Sequence, residues 1–139
     1  MASWSIGKEY EKLVVEVSGS PVKDEYAVWV PVNITIRTGG FSGQFKAAFL
    51  ARDMVKFRDE LRTLYESLNG YATFETLENQ MHLRVTVDKL GHIYVDGELR
   101  DEVCISNKLI FQMSFDQTYL GHTVQELDEV ITGISQQMD

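Results

Sequence analysis

From Tyr26 to Arg37 apolar side chains take every second position, Tyr26, Val28, Val30, Val32, Ile34 and Ile36, while Asn33, Thr35 and Arg37 occupy the other face. That alternation is the mark of a half-buried β-strand. Pro31 falls inside the run on the same face as Trp29, and because proline cannot donate to a ladder it predicts an unpaired edge or a bulge there. Upstream, Leu13, Val15 and Val17 alternate with Val14, Glu16 and Ser18, and Gly19-Ser20-Pro21 supplies a turn. Downstream, Thr38-Gly39-Gly40 leads as a hairpin turn into Phe45, Ala47 and Phe49, set against Gln44, Lys46 and Ala48. Three strands in a meander are expected.

The spacing then changes to threes and fours. Met54, Phe57, Leu61, Leu64, Tyr65 and Leu68 line one side of a helix over about Arg52 to Leu68, with Asn69-Gly70 as its left-handed C-terminal cap. Period two returns at Tyr71 to Glu78 and at Met81 to Asp88, where Met81, Leu83, Val85 and Val87 oppose His82, Arg84, Thr86 and Asp88. Asp88-Lys89-Leu90-Gly91 reads as a hairpin loop. His92 to Val95 resumes a strand that Asp96-Gly97 interrupts, and Leu109, Phe111, Met113 and Phe115 form the inner face of a final strand. Thr123-Val124-Gln125-Glu126 matches a capping box, predicting that a second helix begins there and continues through Leu127, Val130, Ile131 and Ile134. These elements predict an α+β fold: a six- to seven-stranded, mostly antiparallel sheet with two helices packed on one face, residues 1–139 forming a single domain.

Composition adds the sign of the surface. Against 13 Lys and Arg stand 21 Asp and Glu, a net charge of −8, which disfavours direct binding to nucleic acid or anionic lipid and favours a basic protein partner. Acidic residues gather at Asp24-Glu25, at Asp96, Glu98, Asp101 and Glu102, and at Glu126, Asp128 and Glu129. The one cysteine, Cys104, lies in Val103-Cys104-Ile105 and reads as a small buried hydrophobe. With no signal-peptide pattern at the start and no apolar run long enough to span a bilayer, the expected location is cytoplasmic and away from membranes.

No enzymatic constellation emerges. His82, His92 and His122 occur singly, without metal-ligand spacing. A turn centred on Lys89-Leu90 pairs His82 with Gly97 and leaves His82 and His92 roughly 17 Å apart. Gly39-Gly40-Phe41-Ser42-Gly43 precedes a strand rather than a helix and lacks the lysine of a phosphate loop. Asp116 reads as the fixing residue of a strand-to-helix turn. The sequence therefore points to a non-enzymatic binding protein with no metal and no cofactor. Its candidate partner contacts are Asp96, Glu98, Asp101 and Glu102, chosen by charge, with Trp29 and Tyr94 as aromatic anchors. Two alternatives stand beside it: a small-ligand site on the polar sheet face at His82, Arg84 and Thr86, and a structural homodimer formed through a sheet edge near Pro31.

Taken in order, Tyr26-Ala27-Val28-Trp29-Val30, the Gly39-to-Gly43 turn, Asp53 to Leu64, Gly70-Tyr71-Ala72-Thr73-Phe74, Leu90-Gly91-His92-Ile93, Leu109-Ile110-Phe111 and Asp116-Gln117-Thr118-Tyr119-Leu120 resemble a family of small bacterial WapI-type immunity proteins, over about Leu13 to Ile131. The resemblance implies a cytoplasmic antitoxin that blocks the C-terminal domain of a large contact-dependent toxin, often a nuclease. It assigns no toxin-contacting residue to a position in this chain.

Overall fold

The computed structural model describes residues 2–138. Among them the order of elements is β1 (Ser3–Lys8), β2 (Glu11–Val17), β3 (Val22–Lys23), β4 (Val28–Thr38), β5 (Phe41–Leu50), α1 (Ala51–Ser67), β6 (Tyr71–Glu75), β7 (Met81–Val87), β8 (His92–Arg100), β9 (Lys108–Asp116) and α2 (Gln117–Met138). The class is α+β, as expected. The strands, however, divide between two antiparallel sheets: β1-β2-β4-β5, with β3 extending β2's side of β4, and β6-β7-β8-β9. β1 and β3 are the strands that the alternation pattern missed. Two sheets form because each has one wholly apolar face, and burying one against the other with the helices serves both.

Phe74 of β6 marks the meeting point. Its ring centroid lies 5.1 Å from Phe49 of β5, 5.2 Å from Phe57 of α1 and 5.9 Å from Trp4 of β1, so both sheets and the first helix share one aromatic cluster. Such contacts add to the area they bury. The alternating positions read from sequence, Leu13, Val15, Val30, Val32, Ile34, Leu83, Val85, Phe111 and Met113 among them, all lie in the same buried core.

The helices pack on each other and flank two strand edges, α2 along β1 and α1 along β6. Glu126 of α2 accepts the Ser5 N–H at 3.1 Å and the Ser5 hydroxyl at 2.9 Å, while the Thr123 hydroxyl donates to the Ser5 carbonyl at 2.6 Å. On the other sheet Glu60 of α1 accepts the Thr73 N–H at 2.9 Å. Each helix thus occupies hydrogen-bonding groups that an edge strand would otherwise offer to another chain. Between the helices, Asp128 accepts from both Arg58 and Arg62.

Several local expectations are corrected. α2 begins at Gln117, because Asp116 accepts the Thr118 N–H and hydroxyl, both at 2.9 Å, and so caps the helix seven residues before Thr123, the expected cap. The Thr123 and Glu126 side chains reach β1 instead. Pro31 lies in an interior strand opposite Ala48 of β5, and its carbonyl accepts the Ser18 N–H in the gap between β2 and β3. The missing donor falls in that gap, so no free edge for a homodimer exists at Pro31. Tyr26 precedes β4 and is exposed. Helix α1 ends on Leu68, which takes the left-handed conformation ahead of Asn69-Gly70.

Gly97 does not interrupt β8. It pairs with Phe111 of β9, and a Cβ there would stand 2.2 Å from Phe111 Cζ, so the ring lies across the glycine. Gly97→Ala is expected to lower unfolding free energy by about 1–3 kcal/mol through displacement of that ring, measured by chemical denaturation. Glu126→Ala, which strips the Ser5 N–H of its acceptor, is expected to cost about 1–2 kcal/mol by the same measurement, with Glu126→Gln recovering part of it.

Candidate functional site

Strands β6 to β9 turn alternate residues away from the core, and the ladder registers align these into rows across the sheet. One row runs Tyr71, Thr86, Tyr94, Ser114. The next runs Thr73, Arg84, Asp96, Gln112, and a third runs Glu75, His82, Glu98, Ile110. Candidate partner residues Tyr94, Asp96 and Glu98 and candidate ligand residues His82, Arg84 and Thr86 therefore share one surface. Sequence parity had put His82, Arg84 and Thr86 on outward positions, whereas Asp96 was expected to interrupt its strand; the continuous β8 ladder and its register make all six neighbours. The expected register is off by one: His82 pairs with Glu98 rather than Gly97, because the loop closes between Asp88 and His92 around Lys89-Leu90-Gly91.

Much of this face is internally matched. The Arg84 guanidinium stacks over the Tyr71 ring at 4.3 Å. His82 Nε2 lies 3.2 Å from Glu75. Glu98 meets Arg100 at 3.2 Å and Lys108 at 3.6 Å. Asp96 accepts from Gln112 through one oxygen only, at 3.0 Å. At the end of the face Asp88 accepts the amides of His92 and Leu90 and the Tyr94 hydroxyl, and these bonds hold its carboxyl below the usual aspartate range. The same contact pushes the Tyr94 hydroxyl up from its ordinary value. Tyr94 is consequently a fixed ring, 43% exposed.

Asp101 and Glu102 belong to the β8–β9 loop. Both carboxylate oxygens of Asp101 are taken by Asn107, by its amide side chain at 3.0 Å and its backbone N–H at 2.9 Å, so this residue clamps the base of the loop. Glu102 is exposed. Cys104, expected in the core, is exposed at the loop's tip beside Ile105, which is 94% accessible. The apolar triplet Val103-Cys104-Ile105 lies between strands rather than within one, so no sheet face covers it. Trp29 lies apart, on the outer side of β4 in the other sheet, with its indole N–H donating to Asp24 at 3.1 Å. The acidic sets at Asp24 and at Glu126 and Asp128 are occupied by the turn before β4 and by α2's contacts.

Lys8 and Glu11, which sequence reasoning passed over, join this face from the opposite sheet. The β1–β2 hairpin pairs them across a two-residue loop, and Gly7 beside it holds φ +125 with no room for a Cβ, which would meet the Glu11 carbonyl at 2.2 Å. Glu11 lines a groove of about 550 Å³ with Thr86, Tyr94, Asp96, Gln112 and Ser114. Lys8 lines an adjoining depression of about 440 Å³ with His92, Tyr94, Ser114 and Asp116. No local motif could have signalled this, since the hairpin and the face meet only through sheet packing.

Charge separates the two outer faces. Lys12, Arg37 and Lys46 outnumber Glu16 on the first sheet. On outward strand positions the second sheet carries Glu75, Asp96, Glu98 and Asp116 against Arg84, Arg100 and Lys108, and its hairpin ends add Glu78, Asp88, Asp101 and Glu102 against Lys89. Among the described residues no group of three or more His, Cys, Asp or Glu side chains is placed to hold a metal, and no helix is long and apolar enough to cross a membrane.

The model of the immunity protein WapI-like family matches residues 5–134. A stretch of 47 residues is 43% identical to a probable ubiquitin fusion degradation protein of Schizosaccharomyces pombe, covering 34% of this chain but 3% of that protein. So short a share of that relative carries none of its role here.

The hydrogen bonds around the face set a pH dependence. Asp88, Asp101 and Asp116 are each held below the ordinary 3.8, by the His92 and Leu90 amides, by Asn107 and by Thr118 respectively. A depressed folded value stabilises the fold fully above the unfolded value and loses that contribution as pH falls through the folded one. Carboxyl-carbon NMR titration is expected to give three midpoints below 3.8, with Asn107→Ala returning Asp101 upward.

Proposed function

The chain belongs to the immunity protein WapI-like family, and on that basis we propose that it is a non-enzymatic antitoxin that binds a basic toxin domain and occludes it in the cytoplasm. The family match over nearly the whole chain carries this reading. Its location on the molecule is argued from the outer face of β6 to β9. Neither helix covers that face, it holds most of the acidic groups of the two sheet surfaces, and it offers Tyr94, Ile110 and the Glu102–Ile105 loop tip as exposed contacts. A mixture of aromatic or aliphatic anchors with a charged surround is the composition that gives both affinity and steering.

Occlusion follows from the charge of the surfaces. A nuclease binds phosphates through cationic side chains, and an acidic face that meets those side chains competes with the nucleic acid for the same groups. The clamp between Asp101 and Asn107 contributes by fixing the loop before binding, which reduces the ordering entropy lost in the complex. Glu98 and Glu102 then act as steering charges, and Asp101 as a structural one.

The test is co-purification with the C-terminal domain of a large secreted protein encoded beside this gene, followed by association kinetics. Glu98→Gln combined with Glu102→Lys is expected to slow association by about tenfold at low salt, converging on the parent protein at high salt with the fold unchanged. An unchanged on-rate at low salt overturns the assignment of this face.

A further inference from the structure

We propose that the groove beside Tyr94 receives a single arginine side chain from a protein partner. The proposal rests on the reading of this face as a partner-binding surface and names the chemistry of one contact within it.

The groove has two walls from different sheets. Glu11 arrives on the β1–β2 hairpin, and Thr86, Tyr94, Asp96, Gln112 and Ser114 rise from β7, β8 and β9. Among the described residues neither Glu11 nor Asp96 forms an ion pair, unlike Glu75 and Glu98 on the same face. Asp96 keeps one oxygen free because Gln112 occupies the other. Their ladder partners, Lys8 opposite Glu11 and Arg84 opposite Asp96, form no ion pair with them, Arg84 lying over Tyr71 instead, so two hydrated carboxylates on the walls of one groove are open to a cation from outside.

The aromatic residue selects which cation. Tyr94 is held at its hydroxyl by Asp88, 3.1 Å away, so its ring is in place before a ligand arrives. In the same row two strands away, the Arg84 Cζ already lies 4.3 Å from the centroid of the Tyr71 ring, an arrangement in which this sheet places a guanidinium over an outward tyrosine. A planar guanidinium stacks on a ring and can meanwhile donate in its plane to a carboxylate and to hydroxyls such as those of Thr86 and Ser114. An ammonium, a compact point charge, uses fewer of these acceptors.

The experiment is an NMR titration of the intact protein with N-acetyl-Gly-Arg-Gly-amide and with its citrulline counterpart, which keeps the shape and removes the charge. The arginine peptide is expected to shift the amides of Thr86, Tyr94, Asp96 and Gln112 saturably. The citrulline peptide, Tyr94→Leu, and the double variant Glu11→Gln with Asp96→Asn are each expected to weaken binding by about tenfold. Tyr94→Phe, which loses only the bond to Asp88, should retain most of it, so that loss in Tyr94→Leu is assigned to the ring. No saturable shift at those amides, equal binding of citrulline, or shifts confined to another surface overturns the proposal. A toxin complex of unchanged affinity in the Glu11 and Asp96 double variant also overturns it, while leaving the antitoxin reading intact. Specific arginine binding without any toxin complex supports the groove and removes that reading.

Discussion

An unpaired strand edge presents N–H and C=O groups that any other strand can capture, and a fold of two separate sheets has four such edges to manage. Here the helices are placed by that constraint. The β1 edge meets α2, where Glu126 and Thr123 take the N–H and C=O of Ser5, and the β6 edge meets α1, where Glu60 takes the N–H of Thr73. Because the two edges face the same pair of helices, α1 and α2 must also pack on each other, and Asp128 bridging Arg58 and Arg62 fits that demand. Once the helices are committed to edges, they leave the outer faces of both sheets uncovered. The openness of these sheet faces is thus a consequence of how the edges are closed. A third edge, that of β5, is tied by buried Gln80, which donates to the carbonyls of Lys46 and Arg100.

What could be read in the sequence was whatever depends on a residue and its near neighbours. Parity along β2, β4, β5, β7 and β9 was correct because a half-buried strand writes its burial into every second residue. The turn at Asp116 was also legible, since a short acidic side chain after a strand has few other uses. The partition into two sheets was not, because alternation specifies which face is apolar and is silent about which sheet it joins. Ser3 to Lys8 escaped notice since only Trp4 and Ile6 carry its pattern. Cys104 was misplaced because an apolar triplet reads alike in a strand and in a loop, and its exposure depends on the Asp101–Asn107 bonds that end the ladder.

The candidate site was legible in its residue types and illegible in its assembly. Charge selected Asp96 and Glu98 and aromatic character selected Tyr94, and the structure gathers them with His82, Arg84 and Thr86, so that two separate sequence hypotheses describe one surface. Trp29 failed for a physical reason: its indole N–H completes the turn at Asp24 on the other sheet. Acidic residues proved to be of two kinds. Asp24, Asp101, Asp116 and Glu126 satisfy backbone donors and are part of the scaffold. Glu11, Asp96 and Glu102 keep oxygens free for solvent or a partner, and sequence cannot sort one kind from the other because both look like charge.

The clamped loop between β8 and β9 has a practical consequence. The chain holds one cysteine, and it stands exposed at residue 104. A maleimide fluorophore attached to the native protein would therefore modify a single place, at the border of the acidic face and on a segment whose base is pinned. The molecule carries its own attachment point for a spectroscopic reporter of whatever comes to rest beside it.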